Sequence, residues 1–164
     1  MELAVTKESK KIPPQSSSES TVNAVNNRLF FRLVQCSNLY ERGVQQHLNV
    51  SSVQGAVLGA LSRNTDRSMS FADLVEYLAV SRQNLDAVLK RLERLGYVNR
   101  VEDPEDRRVR IVRLTSRGQA FWTDLFQQTV QFYGKATIGI TTDERKQLTA
   151  LLVRIGQNLK RPDF

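Results

Sequence analysis

Cysteine is nearly absent from the chain: Cys36 stands alone. No disulfide can form within the molecule, which suits a reducing compartment. Histidine is as scarce, with His47 the only one. Without a second histidine or clustered thiols there is no donor set for a metal and no nucleophile–base pairing of the hydrolytic kind. No cofactor is therefore expected, and an enzyme is not. No run approaches the eighteen or so apolar residues of a membrane span. The opening stretch MELAVTKESKKIPPQSSSES has no apolar core of signal-peptide length. Internal repeats are missing as well. These absences leave a soluble, cytoplasmic, non-catalytic protein with no membrane partner as the expectation.

What is present is ordinary in amount and unusual in placement. The 164 residues, 40% of them apolar and 25% charged, suffice for one domain with a real core. The net charge of +7 favours a polyanion, nucleic acid or an anionic membrane surface. Residues 1–20, rich in Ser, Lys, Glu and Pro, bury too little to offset ordering entropy and are expected to form a disordered tail carrying Lys7, Lys10 and Lys11.

From about Asn23 a helical stripe follows, through Leu29, Phe30, Leu33, Tyr40, Val44 and Leu48. Ser51 or Ser52 caps a second helix carrying Val53, Val57, Leu58 and Leu61, and residues 62–67 read as a loop. Ser70 with Asp73 resembles a capping box and opens a short helix through Phe71, Leu74, Val75 and Leu78. Only Ala79 and Val80 separate it from Ser81, the N-cap of the next helix. That helix turns Leu85, Val88, Leu89, Leu92 and Leu95 inward and ends at Gly96. Two helices joined so briefly are the layout of a helix-turn-helix. Residues 97–101 and 109–114 are strand-like, and Asp103-Pro104-Glu105-Asp106 suits a type I turn between them. Alternation in the second strand is imperfect, which leaves either a bulge or burial on both faces. A long helix then runs from Thr115 to about Gly134 with Phe121, Trp122, Phe126, Phe132 and Tyr133. After a loop at Gly139, Thr141 and Glu144 make a capping box for a last helix through Leu148, Leu151, Leu152, Ile155 and Leu159.

The helix opened by Ser81 leaves Gln83, Ala87, Lys90 and Arg94 opposite its apolar stripe, with Arg82 and Asn84 beside its amino-terminal turn. Free N–H groups there suit phosphate, Arg can bond guanine bidentately, and Gln or Asn can bond adenine. A polar helix face is more often only solvated, and it is the hairpin that shifts the balance. Residues 101–114, VEDPEDRRVRIVRL, hold four acids and four arginines. Arg107, Arg108 and Arg110 flank a narrow bend able to reach a minor groove, where negative potential concentrates. Asp106 is close enough in sequence to hold the Arg108 guanidinium and order the tip.

The run LAVSRQNLDAVLKRLERLGYVNRVEDPEDRRVRIVRLTSRG resembles the winged-helix core of the MarR family of bacterial transcription regulators. DPEDRR followed by LTSRG is its most specific part. The resemblance implies a homodimer with interlocked terminal helices and double-stranded DNA, a pseudo-palindromic operator, as partner. Ser81, Arg82, Gln83, Asn84 and Lys90 would contact the major groove, and Arg107, Arg108 and Arg110 the wing's phosphates and minor groove. Asp106 would stabilise the wing. It also implies a small aromatic or phenolic effector, with Phe30, Tyr40, Trp122 and Phe126 as candidate pocket residues; the alternative for each aromatic is plain core packing.

The fold class expected is mainly α (α+β), a winged helix-turn-helix over 51–118 with a helical dimerisation region from 21–50 and 119–164. The function expected is a homodimeric repressor released by a small molecule. The rivals are a winged-helix module that binds protein and a redox switch at Cys36, which otherwise reads as a small buried hydrophobe.

Overall fold

The computed structural model describes residues 17–163. Helix α1 spans Ser17–Leu48, starting earlier than Asn23, so residues 17–20 of the expected tail are its first turn. Residues 1–16, with Lys7, Lys10 and Lys11, lie outside the described residues. The described chain divides into two compact units within α1, at Gly43. In the first unit Phe30 and Tyr40 are exposed, and Cys36 is exposed rather than buried. From residue 19 to 40 only Leu33 is other than exposed, so the small thiol has no core to join.

The second unit begins with the last turn of α1, where Val44 and Leu48 enter a buried cluster. Helix α2 (Ser52–Arg63) is capped by Ser51, and Gln54 completes a reciprocal capping box. Its Val57, Leu58 and Leu61 are fully buried. The loop after it is drawn tight: Asp66 accepts from both the N–H and the hydroxyl of Ser68, and Asn64 donates to the Ser68 carbonyl. Strand β1 (Ser68–Ser70) follows, an element the sequence reading lacks.

Helix α3 (Phe71–Leu78) is capped by the Ser70 hydroxyl, which accepts from the Asp73 N–H. Ala79 turns the chain in the left-handed region at φ 52°. Helix α4 (Arg82–Arg94) is capped by Ser81 and buries Leu85, Leu89 and Leu92. Leu95 was expected inward and is 40% exposed instead. It lies beyond the last helical residue, where Gly96 at φ 72° turns the chain off the stripe.

Strands β2 (Val98–Glu102) and β3 (Arg110–Leu114) pair antiparallel, and β3 is central in a sheet ordered β1-β3-β2. The β2–β3 register is unbroken from Val98 opposite Leu114 to Glu102 opposite Arg110. The imperfect alternation therefore reflects cover on both faces and no bulge. Val112 and Leu114 enter the core while Ile111, on the other face, is half-buried.

Helix α5 (Ser116–Ala136) and helix α6 (Thr142–Leu159) complete the chain. Thr141 and Glu144 form the expected capping box. Helix α6 contains no buried residue. Among the described residues, no helix is long and apolar enough to cross a membrane.

The core joins α2, α3, α4 and the inner face of the sheet through Leu58, Leu61, Leu74, Leu85, Leu89, Leu92, Val98 and Val112. A fully buried leucine or valine contributes roughly 1.5–3 kcal/mol over an exposed one. The consequence for function is rigidity: α4 and β2 stand on a shared, close-packed base.

Candidate nucleic-acid interface

Helix α4 owes its start to Ser81, whose hydroxyl accepts from the Asn84 N–H at 3.1 Å. That oxygen is thereby occupied in ordering the helix end. Ser81, Arg82, Gln83 and Asn84 are all exposed, so the amino-terminal turn projects outward. The Arg82 guanidinium stands 5.9 Å from the centroid of the Phe71 ring on α3, which fixes its direction. Lys90 is largely exposed but not isolated: its Nζ lies 2.9 Å from Asp86 Oδ2.

The wing differs in detail from the expected hairpin. Strands β2 and β3 are joined by seven residues, 103–109. The Asp103 carboxylate accepts from the N–H groups of Glu105 and Asp106, at 2.8 and 3.3 Å. The turn hydrogen bond runs from the Val109 N–H to the Asp106 carbonyl, and the Asp103 N–H closes the loop on the Val109 carbonyl. So the turn falls at 106–109, and Asp103 with Pro104 forms the approach to it. Asp106 was expected to hold the Arg108 guanidinium; its carboxylate accepts instead from the Arg108 backbone N–H at 2.9 Å. An Asp side chain folds back on a neighbouring N–H at little entropic cost, whereas fixing a long exposed arginine costs more. Among the described residues no ion pair holds Arg107 or Arg108. Arg110, by contrast, pairs with Glu102 directly across the ladder at 2.8 Å.

A residue that the sequence reading did not single out connects these two elements. Arg100, on β2, reaches α4 and bonds Glu93 through Nε to Oε1 at 3.0 Å and Nη2 to Oε2 at 2.6 Å. Its Nη1 bonds Asp86 Oδ1 at 2.5 Å. Glu93 foremost, with Asp86, raises the Arg100 pKa above its ordinary value. Lys90 and Arg100 hold the Asp86 carboxyl below the usual carboxylate range. Two acids seven residues apart on α4 and an arginine on the following strand are a sequence signal for such a link, legible once the strand's inner face is known.

The LTSRG segment has a mechanical role. The Thr115 hydroxyl accepts from the Gly118 N–H and donates to the Gly96 carbonyl at 2.7 Å, tying the end of α4 to the start of α5. A Cβ on Gly118 would lie 2.1 Å from the Tyr97 carbonyl oxygen, so only glycine permits this approach. Tyr97 in turn stacks on Phe121, centroids 4.3 Å apart, and the Arg117 guanidinium stands 5.7 Å from the centroid of the same Tyr97 ring.

Of the candidate pocket residues, Trp122 packs so closely on α2 that a Cβ on Gly59 would meet its ring at 2.8 Å. Phe126, 5.8 Å from Trp122 between centroids, is exposed. A cleft of about 420 Å³ is lined by other residues, His47, Leu48, Gln128, Gln131, Phe132 and Lys135 among them. His47 sits in the last turn of α1, its ring 5.8 Å from that of Phe132. A second cleft of about 210 Å³ lies among Gln54, Arg91, Leu95, Tyr97 and Phe121.

The family model described as MarR family matches residues 48–109. The chain is 38% identical over 159 residues to the transcriptional activatory protein BadR of Rhodopseudomonas palustris, covering 94% of this chain and 90% of that one. It is 30% identical over 113 residues to the homoprotocatechuate degradative operon repressor of Escherichia coli, covering 69% and 75%. Among solved structures it resembles a mutant MarR from Escherichia coli complexed with operator DNA, with a TM-score of 0.66 and 27% identity over 76% of this chain and 91% of that one.

Proposed function

The chain belongs to the MarR family of DNA-binding transcriptional regulators, and from that membership we propose how its own residues bind an operator. Residues 51–118 form the DNA-binding domain, and 21–50 with 119–164 the dimerisation region. Two copies place their α4 helices in successive major grooves of a pseudo-palindrome, about 34–36 Å apart. Arg82, Gln83 and Asn84 meet base edges, while the free N–H groups of the turn they start favour a phosphate. Lys90, held by Asp86, presents its exposed ammonium to a phosphate. Arg107 and Arg108 follow the backbone into the minor groove, and Arg110, paired with Glu102, stiffens the strand behind them.

One observation carries this reading: four consecutive exposed residues, Ser81 to Asn84, open the second helix of a helix-turn-helix while the wing beside it presents Arg107 and Arg108 without ion-pair partners among the described residues. The proposed sign is repression, released by a small aromatic acid. The cleft lined by Phe132, Lys135 and His47 supports that class, since it offers a ring for stacking and a cation for a carboxylate. One relative takes its name from an operon that degrades such an acid. A ligand that favours one spacing of the two α4 helices would shift the population away from the DNA-competent state.

The test is fluorescence anisotropy with DNA from upstream of the chain's own gene, beside a scrambled duplex, over a salt series. Neutralising about 6–10 phosphates gives a log–log salt slope of roughly −5 to −9. The native duplex should be preferred by about a thousandfold or more. Equal binding to both duplexes would refute sequence-specific recognition of that operator.

A further inference from the structure

We infer that Arg100 is a positioning residue for DNA recognition: its guanidinium braces the wing against α4, so that wing and recognition helix engage DNA as one rigid body. The inference rests on the reading of α4 and the wing as the two DNA-contacting elements. It adds the device that fixes one relative to the other.

The geometry has three parts. Asp86 and Glu93 are seven residues apart, two turns of α4, and therefore lie on one stripe of the helix. Arg100 spans both, bidentate on Glu93 and single on Asp86. A fork held at two points two turns apart resists rotation of α4 about its axis as well as sliding along it, which a single contact would not. Arg100 itself sits opposite Val112 in the ladder, two residues before the Glu102–Arg110 rung where pairing ends and the wing tip begins. Whatever holds Arg100 thus holds the base of the lever that carries Arg107 and Arg108.

The brace is also partly shielded. The Arg100 side chain is 25% exposed and that of Glu93 29%, against 58% for Arg110. Pairs of that depth are screened less by salt than surface pairs. Asp86 ties a third group into the arrangement, since its second oxygen holds Lys90. Asp86, Glu93, Lys90 and Arg100 sum to zero charge. Two carboxylates on the recognition helix are thereby neutralised in place, where unpaired they would repel the phosphates α4 approaches.

Positioning and neutralisation make different predictions, and a coupled set of variants separates them. Arg108→Ala in the wild-type background should weaken operator binding about tenfold, the loss typical of one well-made DNA contact. Arg100→Gln should weaken it roughly 10–100-fold, because the wing no longer arrives in register. In the Arg100→Gln background, Arg108→Ala should then cost less than about threefold, since a wing out of register has little left to lose. Arg100→Lys keeps the charge and loses the fork, and should behave like Arg100→Gln. Hydrogen exchange on the DNA-free protein reads the brace without DNA: amides of 98–102 and 110–114 should exchange faster in both variants, while those of α2 stay as in the wild type.

Wild-type affinity in Arg100→Lys would overturn the inference in favour of charge alone. An undiminished tenfold cost of Arg108→Ala in Arg100→Gln would overturn it too, because wing and helix would then act independently. Should no variant, nor the wild type, discriminate the operator, the DNA-contact reading fails first. Unchanged wing exchange in Arg100→Gln and Arg100→Lys would sink the brace whatever DNA does.

Discussion

Single residues here act mainly by letting elements approach or by ending them. Gly118 is the sharpest case. Helix α5 crosses the backbone at Tyr97 so closely that a methyl group would sit 2.1 Å from its carbonyl oxygen and 2.9 Å from a Leu114 methyl. The carbonyl belongs to a backbone tied down by the Thr115 N–H, so it cannot swing aside. Gly118→Ala should therefore destabilise the fold despite alanine's better helix propensity, by about 1–3 kcal/mol or somewhat more. Urea unfolding followed by circular dichroism measures this, and an unchanged midpoint would show that α5 shifts at no cost. Gly96, Thr115 and Gly118 belong to one joint, which explains why LTSRG follows the wing: threonine supplies the cap and the tie, glycine the clearance. The sequence alone showed the helix start there, but the clearance depends on where Tyr97 lies in space.

At the scale of elements, what was legible is what depends on neighbours in the chain. Ser81, Gly96, Thr141 and Glu144 cap and stop helices by bonding groups within a few residues, so residue type at the right spacing is enough. Strand β1 has no such mark, because Ser68-Met69-Ser70 becomes a strand only by pairing with Arg113, Val112 and Ile111. The wing turn was placed three residues early since Pro104 advertises a turn, whereas the Asp103 and Asp106 carboxylates settle where the chain closes. The α4–β2 brace left only a partial mark, two acids seven residues apart and an arginine on the next strand, because their meeting depends on tertiary register. That brace should answer to acid. The folded pKa of Asp86 is depressed, by Lys90 first and Arg100 next. Its stabilising effect is thus complete above the unfolded-state value of about 4 and is lost as pH falls through the lower folded value. Asp66 is depressed too, chiefly by the Ser68 hydroxyl. Urea midpoints should hold level from about pH 7 to 5 and decline below about pH 4. Asp86→Asn should flatten part of that decline at low salt, and high salt should shrink its share, since the exposed Lys90–Asp86 pair is screened and the Asp66 hydrogen bonds are not. A decline identical in Asp86→Asn would mean that Asp86 adds nothing.

For the molecule as a whole, the winged unit closes its own core and the carboxy-terminal helix does not. Helix α6 has 18 residues and none of them is buried. Leu148, Leu151, Leu152 and Leu159 are between 41% and 53% exposed, a stripe at helical spacing. An isolated helix of that length is marginal in water, so a stripe this apolar calls for a surface to cover it. A second copy of the chain, as proposed above, supplies one. Leu151→Glu tests this with little risk to the protomer, because the side chain lies outside the buried cluster and a charge there meets solvent in the monomer. In the dimer the same carboxylate would be buried without a partner. Sedimentation should report monomers, and far-ultraviolet circular dichroism should change little. Operator affinity should then fall a hundredfold or more, because two half-sites linked by the dimer become two independent ones. The salt slope should roughly halve, from about −5 to −9 toward about −2.5 to −4.5, as each monomer neutralises half the phosphates. A variant that stays dimeric would remove α6 from the interface. A variant that is monomeric yet binds the full operator with an undiminished slope would show that one winged unit makes all the contacts, and the two-fold arrangement of α4 helices would have to be abandoned.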